Sequence, residues 1–188
     1  MYKSIPTYKD NKWTTTDFTT QDEFKKFVVV LFKEPGQYNF DKTAYLFNKE
    51  AKIFNEQGYY CDKPFRSKDF INYWNDQKKK CRDGVIYIGK KETWYLTRDY
   101  YMWLNFLPIF DKEEKKYGFA KVRDAQYHMA IYELLAELNY KHAAILKKRQ
   151  IASSYFHMAK LINQFWFEEG SICKIGASLK DYINDKGS

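Results

Sequence analysis

A chain of 188 residues, 45% hydrophobic and 30% charged, can bury a core without metal or disulfide support, and its 8 Gly and 4 Pro exclude a collagenous or disordered chain. Three widely spaced cysteines, Cys61, Cys81 and Cys173, form no C-x-x-C pair and argue against a zinc site, pointing to reduced thiols in a soluble, unexported protein. A formal net charge of +8 and 20% aromatic residues permit a polyanionic partner without demanding one, and the longest apolar run, Phe27 to Phe32, is far short of a membrane span.

Helical spacing of Phe24, Phe27, Val28 and Leu31 after Thr20 predicts a first amphipathic helix over 21–33, ended near Pro35-Gly36. Asp41 is the expected cap of a second, carrying Ala44, Phe47, Ala51 and Phe54 to a left-handed stop at Gly58. Ser67 opens a third, with Phe70, Ile71 and Trp74 inward and Lys78 to Lys80 as a solvated last turn. β-branched and aromatic residues over 85–88 and 93–97, around Gly89-Lys90-Lys91, predict a hairpin at 84–97. The apolar run from Tyr100 to Ile109 is broken by Pro108, and the charged segment Asp111 to Tyr117 reads as a connector closing an N-terminal region, 1–115.

From there to residue 188 the pattern is α/β. Asp124 is a candidate cap for a helix bearing Tyr127, Met129, Ala130, Leu134 and Leu138; Ala143 to Leu146 reads as a short strand; a polar loop leads into a helix from Ser154 to about Glu169. Gly170 closes that helix, and Ser171 to Ala177 is the expected second strand of a parallel sheet. Strand, polar loop and helix are where α/β proteins hold phosphate, because loop N–H groups and the helix N-terminus converge on one anion. As a bare pattern, however, Lys147 to Ser154 keeps only the terminal hydroxyl of G-x-x-x-x-G-K-[ST]: Ala152 stands for the second Gly and Ser153 for the Lys.

Two segments taken together carry a resemblance. Arg123-Asp124-Ala125-Gln126, followed by a helix and then by Arg149-Gln150-Ile151-Ala152-Ser153-Ser154, resembles the opening of the ATPase domain in large terminase subunits of tailed phages, with its R-D-x-Q segment and R-Q-x-G-K-T loop. Upstream, 70–74, 80–86 and 100–109 look like the N-terminal region of terminases from crAss-like phages and their relatives, so the resemblance covers residues 65 to 178.

The resemblance implies a mostly helical N-terminal region with a hairpin, followed by the first strands and helices of an incomplete P-loop (ASCE/RecA-like) ATPase domain. It implies ATP and Mg²⁺ as cofactors. Gln126 would read the adenine edge with Arg123 beside it, and the backbone through Arg149, Gln150, Ala152 and Ser153 would wrap the phosphates. Ser154 would ligate Mg²⁺, Arg149 would lie near the γ-phosphate, and Lys147 or Lys148 would supply the cation that Ser153 does not. Ala in place of Gly at 152 costs about 1 kcal/mol or more if the loop needs a left-handed residue there.

The implied partners are double-stranded DNA, a portal protein and a small terminase subunit, with homo-oligomers on the portal in the host cytoplasm. No apolar strand ending in acidic residues follows Ser154, and no carboxylate-rich nuclease region is present, so this chain by itself is expected to hydrolyse neither ATP nor DNA, and no catalytic residue is assigned. Two other readings stay open: a basic, aromatic-rich nucleic-acid-binding module whose loop takes backbone phosphate, and a protein-interaction module without ATPase activity.

Overall fold

The computed structural model describes residues 1–34, 36–40, 42–111, 115–146 and 152–174. Their order is β1 (Lys3–Lys9), β2 (Lys12–Phe18), α1 (Gln21–Leu31), a 3₁₀ helix (Lys42–Leu46), α2 (Lys49–Gln57), α3 (Lys68–Asp83), β3 (Val85–Ile88), β4 (Thr93–Leu96), α4 (Arg98–Phe106), β5 (Ile109–Asp111), β6 (Lys116–Gly118), α5 (Asp124–Leu138) and α6 (Ser153–Phe167). The class is mixed α/β, as expected. The central sheet has the order β2-β1-β3-β4, with only the β1/β3 pair parallel.

The β1–β2 hairpin is absent from the elements expected. Asp10 and Asn11 both have positive φ, 49° and 60°. A two-residue turn of that hand matches the twist of the strands it joins. Register then aligns one aromatic from each strand on one face: Trp13 opposite Tyr8, Tyr8 opposite Tyr87, and Tyr87 opposite Trp94. The next row, Thr14, Thr7, Ile86 and Tyr95, lies on the other face, where Phe24 and Phe27 of α1 meet the Tyr95 ring edge-on. The β3–β4 hairpin forms as expected.

Local sequence explains where three of the helices start. The Thr20 side chain accepts from the Glu23 N–H at 3.2 Å, while the Glu23 carboxylate accepts from the Thr19 N–H and hydroxyl at 2.7 and 2.8 Å. Ser67 and Thr97 cap α3 and α4 in the same manner. The helix expected to run unbroken to Gly58 is instead split at Phe47–Asn48, and its proposed cap, Asp41, lies outside the described residues. Long-range partners take up the backbone groups at the break. Asn105 of α4, fully buried, donates to the Phe47 carbonyl at 2.8 Å and accepts from the Glu50 N–H at 3.1 Å.

Helix α3 has the expected span but a different inner face. Ile71 is exposed, and the buried positions are Gln77, Lys80 and Cys81. Lys80 is therefore not part of a solvated end: it is 3% exposed, with its ammonium 4.0 Å from the centre of the Trp13 ring and 2.5 Å from Asp76. The charged connector also has more order than expected, since Ile109–Asp111 and Lys116–Gly118 pair as β5 and β6; residues 112–114 lie outside the described residues.

Helices α5 and α6 share one hydrophobic core with the sheet. Tyr127 of α5 packs edge-on against Tyr38 and Trp94, and its hydroxyl accepts from the Tyr95 N–H at 3.2 Å on the outer strand β4. Phe156 of α6 lies 5.5 Å from Trp103, and Asn163 donates to the Cys81 carbonyl at 2.8 Å. The strand expected at Ala143–Leu146 does not form. That segment is exposed and pairs with no described strand, so its apolar residues have no sheet to enter. Ser171 to Lys174 is likewise not a strand, and the rest of the second expected strand, 175–177, lies outside the described residues.

Candidate functional site

Where the phosphate loop was expected, Lys147, Lys148, Arg149 and Gln150 lie outside the described residues, as does Ile151. The structure describes its last three positions. Ala152 is the N-cap of α6 and has φ 55° and ψ 23°, the left-handed geometry that glycine adopts most cheaply. It contributes no side-chain cap, and the first turn of α6 carries no acidic residue. Ser153 is buried and Ser154 is exposed on that first turn. A helix N-terminus with no carboxylate in its first turn carries the positive end of the helix dipole and unpaired N–H groups.

The segment expected to read the base lies at the start of α5. Arg123 is the exposed N-cap residue, and Gln126 is enclosed, 3% exposed. Asp124 does not cap α5 as expected. Its carboxylate turns outward to accept from the backbone N–H groups of Gly36 at 2.6 Å and Tyr38 at 3.3 Å, tying the chain after α1 to α5. Next to the α6 N-terminus is a cleft of about 460 Å³, walled by Glu133, Glu137, Lys141, His142, Ser153, His157 and Lys160 among others. Gln126 is not among its lining residues, being about 10 Å along α5 from Glu133 at the helical rise per residue. The two halves of the expected site are thus on neighbouring helices but not in this one cleft.

What the sequence reading missed is the charged bridge between these helices. Glu133 accepts from His157 Nε2 at 2.7 Å through one carboxylate oxygen and from Lys160 at 2.9 Å through the other. Lys160 also pairs with Glu137 at 2.5 Å. His157 Nδ1 faces the Ser153 carbonyl at 2.7 Å. Both neighbours of the imidazole only accept, so the doubly protonated ring satisfies both. The Glu133 hydrogen bond accordingly raises the His157 pKa. Burial alone would raise the Glu133 carboxyl, but the bonds from His157 and Lys160 outweigh it and hold it below its usual range. For Lys160, burial opposes the charge, and Glu137 and Glu133 overcome it.

The spacing His157-x-x-Lys160 puts both cations on one face of α6, and Glu133-x-x-x-Glu137 does the same on α5. That periodicity was the available signal. Among the described residues, no group of three or more His, Cys, Asp or Glu side chains could hold a metal ion, and no helix is long and apolar enough to cross a membrane. No protein-family model, curated protein or solved structure matches this chain.

Proposed function

We propose that this chain is the N-terminal part of a phage large terminase subunit, the ATP-driven motor that packages double-stranded DNA into a procapsid. Support comes from the ordered pair Arg123-Asp124-Ala125-Gln126 and Arg149 to Ser154, the first opening α5 and the second leading into α6. The observation that carries the reading is the backbone of Ala152. It has the left-handed conformation that the phosphate-loop glycine supplies, at the position where that glycine belongs, immediately before a helix without a side-chain cap.

On this reading the N–H groups at the start of α6 and the Ser154 hydroxyl hold phosphate and Mg²⁺, Lys147 or Lys148 with Arg149 supplies positive charge, and the Arg123–Gln126 turn serves the base. A motor of this kind also needs an acidic strand for magnesium and water and a carboxylate-rich nuclease region, which we assign to coding sequence downstream of Ser188. The test is a calorimetric titration of Mg·ATP into the chain extended by that sequence. Saturable binding, weakened about tenfold or more by Ser154→Ala, is the expected result. A reading frame that stops at Ser188, or an extended chain that binds no nucleotide, overturns the proposal.

A further inference from the structure

A second cavity, about 240 Å³, lies between the start of β1 and helices α1, α4, α5 and α6, and shares Glu133, Glu137 and Lys160 with the cleft beside the α6 N-terminus. Six charged side chains line it: Lys3, Arg98 and Lys160 against Asp99, Glu133 and Glu137. Most are already matched. Lys160 spans Glu133 and Glu137, and Arg98 pairs with Glu168. Two are not. The Lys3 ammonium lies 5.0 Å from the Phe24 ring centre and forms no ion pair with a described carboxylate. Asp99 is 6% exposed; its Oδ1 accepts no hydrogen bond, and the nearest paired cation is Arg98 Nε, a loose 3.5 Å away.

A cation and an anion therefore line the same small space without pairing with each other, an arrangement that leaves both partly desolvated. Burial pushes the Asp99 carboxyl up to about 6 and the Lys3 ammonium down from its usual range. Both groups are held by regular structure, Lys3 in β1 opposite Phe18 and Asp99 in the first turn of α4. Phe24, Tyr95, Leu134 and Phe156 give the same lining an apolar part. A volume of this size has room for several waters, each with a share of about 30 Å³ in the liquid, or for one molecule of amino-acid size.

We propose that this cavity binds a small zwitterion, with its carboxylate on Lys3, its ammonium on Asp99 and its carbon stem against the apolar part of the lining. The ligand neutralises both charges at once, which neither a simple anion nor a simple cation does. The inference does not rest on the nucleotide reading: Lys3 and Asp99, the residues it turns on, line this cavity and not the cleft beside the α6 N-terminus.

The test is calorimetry of the whole chain with unbranched ω-amino acids from glycine to 6-aminohexanoate, alongside butyrate and butylammonium. One chain length is expected to bind best, with the singly charged compounds at least about tenfold weaker. Lys3→Met and Asp99→Asn are each expected to lower affinity about tenfold or more. Lys3→Arg, which keeps the charge, should retain binding and separate loss of charge from loss of fold. The proposal is overturned if no zwitterion binds at about 10 mM, a level corresponding to negligible affinity. It is equally overturned if butyrate or butylammonium binds as tightly, or if Lys3→Met and Asp99→Asn bind as the parent does.

Discussion

Asp99 and Lys80 are both charged and both enclosed, yet their surroundings differ. Lys80 has an aromatic face and a carboxylate within reach, interactions that offset its desolvation. For Asp99 burial outweighs the Arg98 guanidinium, 3.5 Å away, and the Lys160 ammonium, so its pKa rises from 3.8 to about 6. A carboxyl whose pKa is higher folded than unfolded contributes stability that is complete below the unfolded value and lost as pH rises through the folded one. Asp99→Asn removes that loss. In ligand-free protein it is expected to raise stability at pH 7 by about 1–3 kcal/mol and to have little effect below about pH 4, read by urea denaturation across that range.

Tyr127 acts in the opposite direction, because its hydroxyl satisfies the Tyr95 N–H on strand β4. Tyr127→Phe should cost about 1–3 kcal/mol in the same assay by leaving a buried donor unpaired. Residue type gave partial guidance at this scale. Apolar periodicity found Phe24, Val28 and Leu31; for Lys80 the only local sign was Asp76 four residues before it, and the ring that encloses it, Trp13, is far away in sequence.

Among the elements, those with a cap and a period were legible. Thr20, Ser67 and Gly58 mark helix ends where the sequence pattern put them. Two hairpins were treated unequally: 85–96 has Gly and Lys in its turn and a run of Val and Ile, whereas 3–18 turns on Asp10-Asn11 and has Thr, Lys and Pro in its strands, so its signal was weaker. The expected strand at 143–146 fails for a non-local reason, since a short apolar run becomes a strand only where a neighbouring strand accepts it.

Gly84 shows how tightly two elements are joined. With φ 80°, a Cβ there would meet the Leu96 carbonyl oxygen at 2.5 Å and the Tyr95 hydroxyl at 2.6 Å. Gly84→Ala must move β4 away from the end of α3, and a loss of about 2 kcal/mol or more is expected by urea denaturation. The α5–α6 bridge supplies a pH dependence. His157 has its pKa raised above 6.5 by Glu133, so its contribution is complete below that value and falls as pH rises through the folded pKa. Amide hydrogen exchange at the start of α6, corrected for intrinsic rates, should speed up relative to the core between pH 6 and 8, and His157→Gln should abolish the pH dependence.

For the whole molecule, one core runs from Ile5 on β1 to Ala159 on α6. Phe156→Ala, in the last helix, is therefore expected to lower global stability by about 3–5 kcal/mol and to shift far-UV and near-UV melting together, rather than melting α6 alone. The mixed α/β class was legible from the alternation of patterns along the chain. The sheet order was not, because the strand that joins β2 to β3 was unrecognised.

The terminase reading rests at this scale on two distant segments serving one nucleotide. It is tested most directly by photolabelling the chain, extended by its downstream coding sequence, with 8-azido-ATP in Mg²⁺ buffer and mapping the modified peptides by mass spectrometry. The account predicts ATP-protectable labelling in the peptide holding Arg123 to Gln126, reduced when Ser154 is replaced by Ala. Protectable label confined to peptides outside α5 and the start of α6, or no label that ATP displaces, would contradict it.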